Sequence, residues 1–131
     1  FGERQPQSGS YQTVMGIFSN QLKAGKPLTI VGTGEQRRDF IYVKDVAWAN
    51  VRAAEYMYLG LSDKKFEVFN VGSGTNYSVN DIAGLMARDY PKESLPARIE
   101  PMETLADTTK IRKKLCWCPR TRLKNYINGN L

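Results

Sequence analysis

A chain of 131 residues with 41% hydrophobic, 24% charged and 11% aromatic residues has the usage of an ordinary globular domain, which excludes collagen-like, disordered and disulfide-scaffold classes. No apolar run approaches the ~18 residues that span a bilayer, and no charged segment leads into a hydrophobic signal core, so a cytoplasmic protein with no membrane partner is expected. The 19 Lys and Arg against 13 Asp and Glu leave a formal charge of +6, which invites an anionic partner without saying which kind.

Histidine is absent, and with it any Ser/His or Cys/His mechanism and most zinc sites. Cys116 and Cys118 are the only cysteines. They lack further ligands for a metal shell, and a disulfide between such close neighbours would be strained, so reduced thiols are expected. A chain of this size buries roughly two-thirds of its surface, enough for one core. It opens on Phe1-Gly2 and not on methionine, so residues upstream are expected.

The opening FGERQPQSGSY is rich in Gly, Pro, Ser and Gln and reads as a loop. From Thr13, the spacing of Val14, Ile17, Phe18 and Leu22 predicts an amphipathic helix of about three turns, stopped by Gly25 and Pro27. Leu28 to Val31 reads as a short strand, Gly32 to Arg38 as a polar loop and Asp39 to Val43 as a second strand. A helix follows from Lys44 or Asp45 to Tyr58, with Val46, Ala49, Asn50, Ala53 and Met57 on one face, ended by Gly60. Phe66, Val68, Phe69 and Val71 predict a hydrophobic strand, and GSGTNY a turn. Ser78 with Asp81 reads as a capping box opening a helix that buries Ile82, Leu85 and Met86 and closes at Pro91. An irregular basic segment, a strand near Thr104 to Ala106, a helix capped by Asp107 and a tail led by Pro119 complete the chain. The late basic run, from Lys110 to Lys124, reads first as a solvated helical face. Alternating helices and short strands make the class α/β or α+β.

Gly32-Thr33-Gly34 and Gly72-Ser73-Gly74 invite a nucleotide reading, but Arg37 and Tyr77 stand where G-x-G-x-x-G needs its third glycine. Tight turns are the simpler account. Two arginines follow the first turn, and an arginine so placed can fork onto a phosphate, although a plain surface pair remains the alternative.

Four stretches resemble, in order, the second half of extended short-chain dehydrogenase/reductases acting on nucleotide-diphosphate sugars, the group that includes UDP-sugar 4-epimerases and sugar 4,6-dehydratases. FGERQ is similar to the family's YGPRQ, and GTGEQRRDFIYVKDVA to GDGxQxRDFxYVxDVA. FNVGSGTNYSV is similar to YNxGxGxxxSV, and LADTTKIRKKLCW to xADxSKAxxxLGW, with Cys116 in place of the usual glycine. The resemblance implies residues 1–131 as one nucleotide-sugar-binding portion, comprising the last strands of a Rossmann-type sheet and the smaller α+β substrate lobe. It places the N-terminal NAD-binding half, with its glycine-rich loop and catalytic Tyr-x-x-x-Lys, upstream of Phe1. NAD would serve the intact enzyme, with no cofactor or catalytic residue in this chain.

It implies that Arg38 grips the diphosphate and that Thr13 and Val14 contact the same group at a helix N-terminus. Thr29 and Val31 would read the nucleobase edge of uracil or thymine, and Arg98 and Glu100 would serve the phosphates and ribose hydroxyls. Val14 and Val31 as plain core, and Arg98 as plain surface, remain alternatives. The implied activity is that of a UDP-sugar 4-epimerase, with a UDP- or dTDP-sugar 4,6-dehydratase as alternative, inactive without the upstream half and homo-oligomeric. A polyanion- or nucleic-acid-binding module is the reading from another class, and a nucleic acid is not expected because aromatics do not interleave with the basic run.

Overall fold

The computed structural model describes residues 1–6, 9 and 11–130. Gln7, Ser8 and Ser10 of the expected opening loop, and Leu131 of the tail, lie outside them. Its elements are α1 (Val14–Lys23), β1 (Leu28–Val31), β2 (Arg37–Asp39), α2 (Val43–Tyr58), β3 (Asn76–Ser78), α3 (Val79–Met86), β4 (Lys92–Leu95), α4 (Thr109–Leu115) and α5 (Leu123–Asn130). The described residues form an α/β fold. β1 runs parallel to β4, with Leu28 opposite Lys92 and Val31 opposite Leu95, and β2 runs antiparallel to β3, with Arg37 opposite Ser78.

α1 starts where the periodicity places it, because the Thr13 hydroxyl accepts the Gly16 N–H at 3.1 Å. α3 carries the expected capping box. The Ser78 hydroxyl accepts the Asp81 N–H at 3.0 Å and the Asp81 carboxylate accepts the Ser78 N–H at 2.9 Å. That helix ends at Met86, short of Pro91, and buries Ile82 and Ala83, with Leu85 and Met86 only half-buried.

Several expectations are corrected. The second strand is Arg37–Asp39 and not Asp39 to Val43, because this stretch is flanked on both edges: it lies antiparallel to β3 on one, and on the other the Arg37 N–H donates to Met102 and the Arg37 carbonyl accepts the Thr104 N–H. α2 already begins at Val43, and its buried face is Asp45, Ala49 and Tyr56, leaving Asn50 and Met57 exposed. Phe66 to Val71 joins no ladder, and Phe66 and Val68 stand 77% and 61% exposed. No strand forms at Thr104 to Ala106, where the backbone bridges only at Glu103 to Arg37. β4 and α5 were not expected. Asp107 does not itself cap α4, whose N-cap is Thr108, but its carboxylate accepts the Thr109 N–H at 2.9 Å.

Buried side chains gather in two clusters instead of one. Met15, Phe18, Leu28, Ile30, Ile82, Leu123 and Ile127 join α1, β1, α3 and α5. Ala49, Tyr56, Ile111, Leu115 and Trp117 join α2 to α4 and the loop after it. The split follows from the packing, in which α4 lies on α2 while α3 and α1 lie on each other and on β1.

Three carboxylates fasten loops to the rest of the fold. Asp39 Oδ1 accepts Ser73 N–H at 2.8 Å and its hydroxyl at 2.6 Å, and Oδ2 accepts Gly74 N–H and Ala106 N–H at 3.2 and 3.3 Å. Buried Asp45 accepts the N–H groups of Arg120 and Thr121. Glu67, its side chain 2% exposed, is enclosed by Ser62, Lys110 and Lys114. These two lysines of the basic run are thus turned onto a carboxylate, and they also lie over the Phe69 and Tyr56 rings.

Candidate functional site

Between α1, β1, β2 and the segment after β4 lies a cleft of about 550 Å³. Val14, Thr29, Val31, Arg38, Arg98 and Glu100 all line it, although they are scattered over most of the chain. Thr13 does not. Its hydroxyl caps α1 and donates to Gln5 Oε1 at 3.3 Å. The floor is apolar, from Ile17, Phe18, Phe40 and Leu95, and the rim is polar. Such a division suits a ligand with an apolar body and polar or charged groups at its edge.

β1 supplies the wall. Leu28 and Gly32 N–H groups bond to Pro91 and Leu95 on the β4 side, so the alternate backbone groups, of Thr29 and Val31, face the opposite edge. Gln21 reaches that edge from α1, accepting the Thr29 N–H at 3.2 Å and donating to its hydroxyl at 2.8 Å. Gln36, only 7% exposed, donates to the Val31 carbonyl at 3.1 Å.

Arg38 lies in β2 and not in the preceding loop, which fixes its backbone. Its guanidinium donates to the Arg37 carbonyl at 2.8 Å and to Glu100 Oε2, while Gln36 donates to Glu100 Oε1 at 3.3 Å. Arg37, next in sequence, is spent on the scaffold. It forks onto Asn76 and pairs with Asp81 at 3.3 Å. Alternation along the strand thus decides which arginine faces the cleft. Arg98 is exposed on its lip beside Ile99, which stands entirely in solvent.

Gln21 and Gln36 carry no role in the sequence reading. Gln36 sits inside the GTGEQRRDF stretch, where its place between the turn and the arginines was the available signal. Gln21 gave none beyond its position on the polar side of the helix.

The glycine turns are not phosphate cradles. The Ser73 and Gly74 N–H groups point at Asp39, and a Cβ on Gly72 would come within 2.4 Å of the Ala106 Cβ. Gly34, at φ 75°, accepts the Asn80 N–H through its carbonyl, and Asn80 also donates to Thr33 and Glu35. In the second turn the donors a pyrophosphate would need are committed to Asp39.

Residues 1–72 match the NAD dependent epimerase/dehydratase family. The chain belongs to that family. It is 34% identical over 132 residues to the UDP-glucose 4-epimerase of Mycolicibacterium smegmatis, a match covering 97% of this chain and 40% of the relative. The structure of the Thermotoga maritima UDP-glucose 4-epimerase with UDP-glucose superimposes with a TM-score of 0.79 at 31% identity, over 97% of this chain and 40% of that one. The Bacillus cereus UDP-glucuronic acid 4-epimerase, solved with UDP-glucuronic acid and NAD, gives 0.75 at 28%, over 98% and 40%. The chain therefore spans 33–40% of the length of the first curated relatives it matches. Among the described residues, no helix is long and apolar enough to cross a membrane.

Proposed function

We propose that this chain is the nucleotide-sugar-binding portion of an NAD-dependent UDP-sugar 4-epimerase, and that the 550 Å³ cleft receives the nucleotide diphosphate. The observation that carries the reading is the gathering of Val14, Thr29, Val31, Arg38, Arg98 and Glu100 on one cleft. The relatives' names favour 4-epimerase over the sugar 4,6-dehydratase alternative, which would use the same binding residues.

NAD supplies reversible hydride transfer at the sugar and is held, with the catalytic tyrosine, by residues outside this chain, so the chain alone is inactive. Its own residues bind and orient. Arg38 forks onto the diphosphate, and Val14 at the α1 N-terminus presents its backbone N–H to the same group. The Thr29 carbonyl and Val31 N–H face the edge where uracil or thymine presents a donor beside an acceptor. Glu100 takes a ribose hydroxyl once phosphate replaces it on Arg38, and Arg98 closes on the phosphates from the lip. The exposed Phe66 and Val68 fit packing against further protein, in keeping with a cytoplasmic homo-oligomer.

A polyanion binder would draw on the basic run, and Lys110 and Lys114 are already paired with Glu67. Calorimetric titration of UDP distinguishes the two. A charge-assisted fork in a half-buried cleft contributes about 1.5 to 3 kcal/mol, so Arg38→Ala should lose roughly ten- to hundredfold in affinity. Arg38→Lys should also weaken binding, since it keeps charge but not the fork. Replacing Arg112, Lys113 and Lys114 together should change little. The reverse pattern overturns the assignment.

A further inference from the structure

A second cavity, of about 340 Å³, adjoins the cleft behind a shared wall made by Phe40 and Tyr77. Cys118 lines it together with Arg112 and Arg122. Cys116 and Cys118 are both free and exposed, while Trp117 between them is 1% exposed and donates its indole N–H to the Asp45 carbonyl at 3.1 Å. With the middle side chain sunk into the core, both flanking cysteines lie at the surface two positions apart, and Cys118 lines the cavity. The segment is fastened just beyond them by the bonds from Arg120 and Thr121 to Asp45. Cys116 sits at φ 49°, where glycine would be relaxed, so a side chain is held at a position whose backbone disfavours one.

We propose that Cys118 is a thiol-modification site for an anionic low-molecular-weight disulfide of the glutathione disulfide class, and that Cys116 resolves the adduct. The Cys118 thiolate attacks one sulfur of the incoming disulfide. One S–S bond forms as the other breaks, and the departing thiolate takes a proton from water. The Cys116 thiolate then attacks the Cys118 sulfur, expels the second small thiol and closes a Cys116–Cys118 disulfide. Two protein thiols lose two electrons and two protons, and one small disulfide becomes two thiols.

Charge selects the reagent. Arg112 and Arg122 are exposed, and neither guanidinium is in an ion pair among the described residues, so both can take the carboxylates of a peptide disulfide. Closeness sets the reversibility, because a disulfide across one intervening residue is strained and correspondingly easy to reduce.

The test is incubation of the protein with oxidised glutathione, followed by peptide mapping without reductant. Wild type should converge on a Cys116–Cys118 peptide lighter by two hydrogens. Cys116→Gly should instead accumulate one glutathionyl group on Cys118, and Cys118→Ser should react about tenfold more slowly. Replacing Arg112 and Arg122 with Gln should slow glutathione disulfide about tenfold and leave the neutral hydroxyethyl disulfide unaffected, as expected of electrostatic capture. An unmodified Cys118 in Cys116→Gly, a Cys118→Ser variant labelled as fast as wild type, or an arginine variant that reacts with both disulfides at wild-type rates would overturn the proposal.

Discussion

Arg38 and Glu100 meet at the rim of the cleft, the guanidinium donating to one carboxylate oxygen while the Gln36 amide donates to the other. The two side chains are about one-third exposed, at 30% and 34%, with Arg38 in β2 and Glu100 in the segment after β4. In the proposed site a diphosphate must compete with this carboxylate for the fork.

Glu100→Gln removes the competitor without changing its shape. A half-exposed ion pair contributes up to about 1 kcal/mol, so inorganic pyrophosphate, which has no ribose, should bind about two- to fivefold more tightly. UDP should gain less, since its ribose loses an acceptor. Equal affinities of wild type and variant for pyrophosphate would show that the pair does not compete with phosphate.

Asp39 holds three chain segments together through four accepted hydrogen bonds. Asp39→Asn keeps the shape but weakens charge-assisted bonds, and should cost about 1.5 to 3 kcal/mol in urea unfolding. Gly72→Ala should cost about 1 to 3 kcal/mol, because its Cβ would meet Asp39 Oδ2 at 2.5 Å as well as Ala106. In a separate cycle of Asp39→Ala, Gly72→Ala and the double variant, removing the carboxylate removes one of the two clashes, so the double variant should cost less than the sum of these two single variants. Strict additivity would contradict the geometry.

Glu67 gives a pH signature. Donation from the Ser62 hydroxyl, then from Lys114, with the Lys110 ammonium paired beside it, lowers its carboxyl from 4.5 to about 2. The folded state thus favours the charged form, and the contribution is complete above 4.5 and fades as pH falls toward 2. Glu67→Gln should lower Tm at neutral pH and flatten the decline of Tm over that acid window. A variant with the wild-type acid slope would contradict this account.

The capping box of α3 should be worth about 1 kcal/mol, with Ser78→Ala read by urea midpoint and by faster amide exchange at Val79 to Asp81. An unchanged exchange rate there would mean that the box adds no local stability.

What could be read along the chain was local. Thr13, the spacing of Val14, Ile17, Phe18 and Leu22, and the Ser78–Asp81 pair are signals complete within a few residues, and α1 and α3 begin where those signals lie. β4 was hidden because Lys92, Glu93 and Ser94 carry no strand signal. It is a strand because β1 lies alongside. Phe66 to Val71 shows the converse, having strand composition with no ladder partner among the described residues. At the cleft, family motifs pointed to Arg38 and the β1 residues. Gln21 and Gln36 depended on which backbone groups the ladder leaves at its edge, a fact of pairing that no single stretch contains.

Both ladders close over long stretches of chain: β1 finds β4 past Pro91, and β2 finds β3 only at Asn76. Among the described residues, the wall of the cleft therefore has no partner strand until residues in the nineties have been synthesised. Until then α1 can form, but Leu28 and Ile30 have only part of their cover. Assembly of this fold is a late, long-range event, and its vulnerable interval, with β1 open to pairing with other chains, is set by synthesis of the segment between β1 and β4.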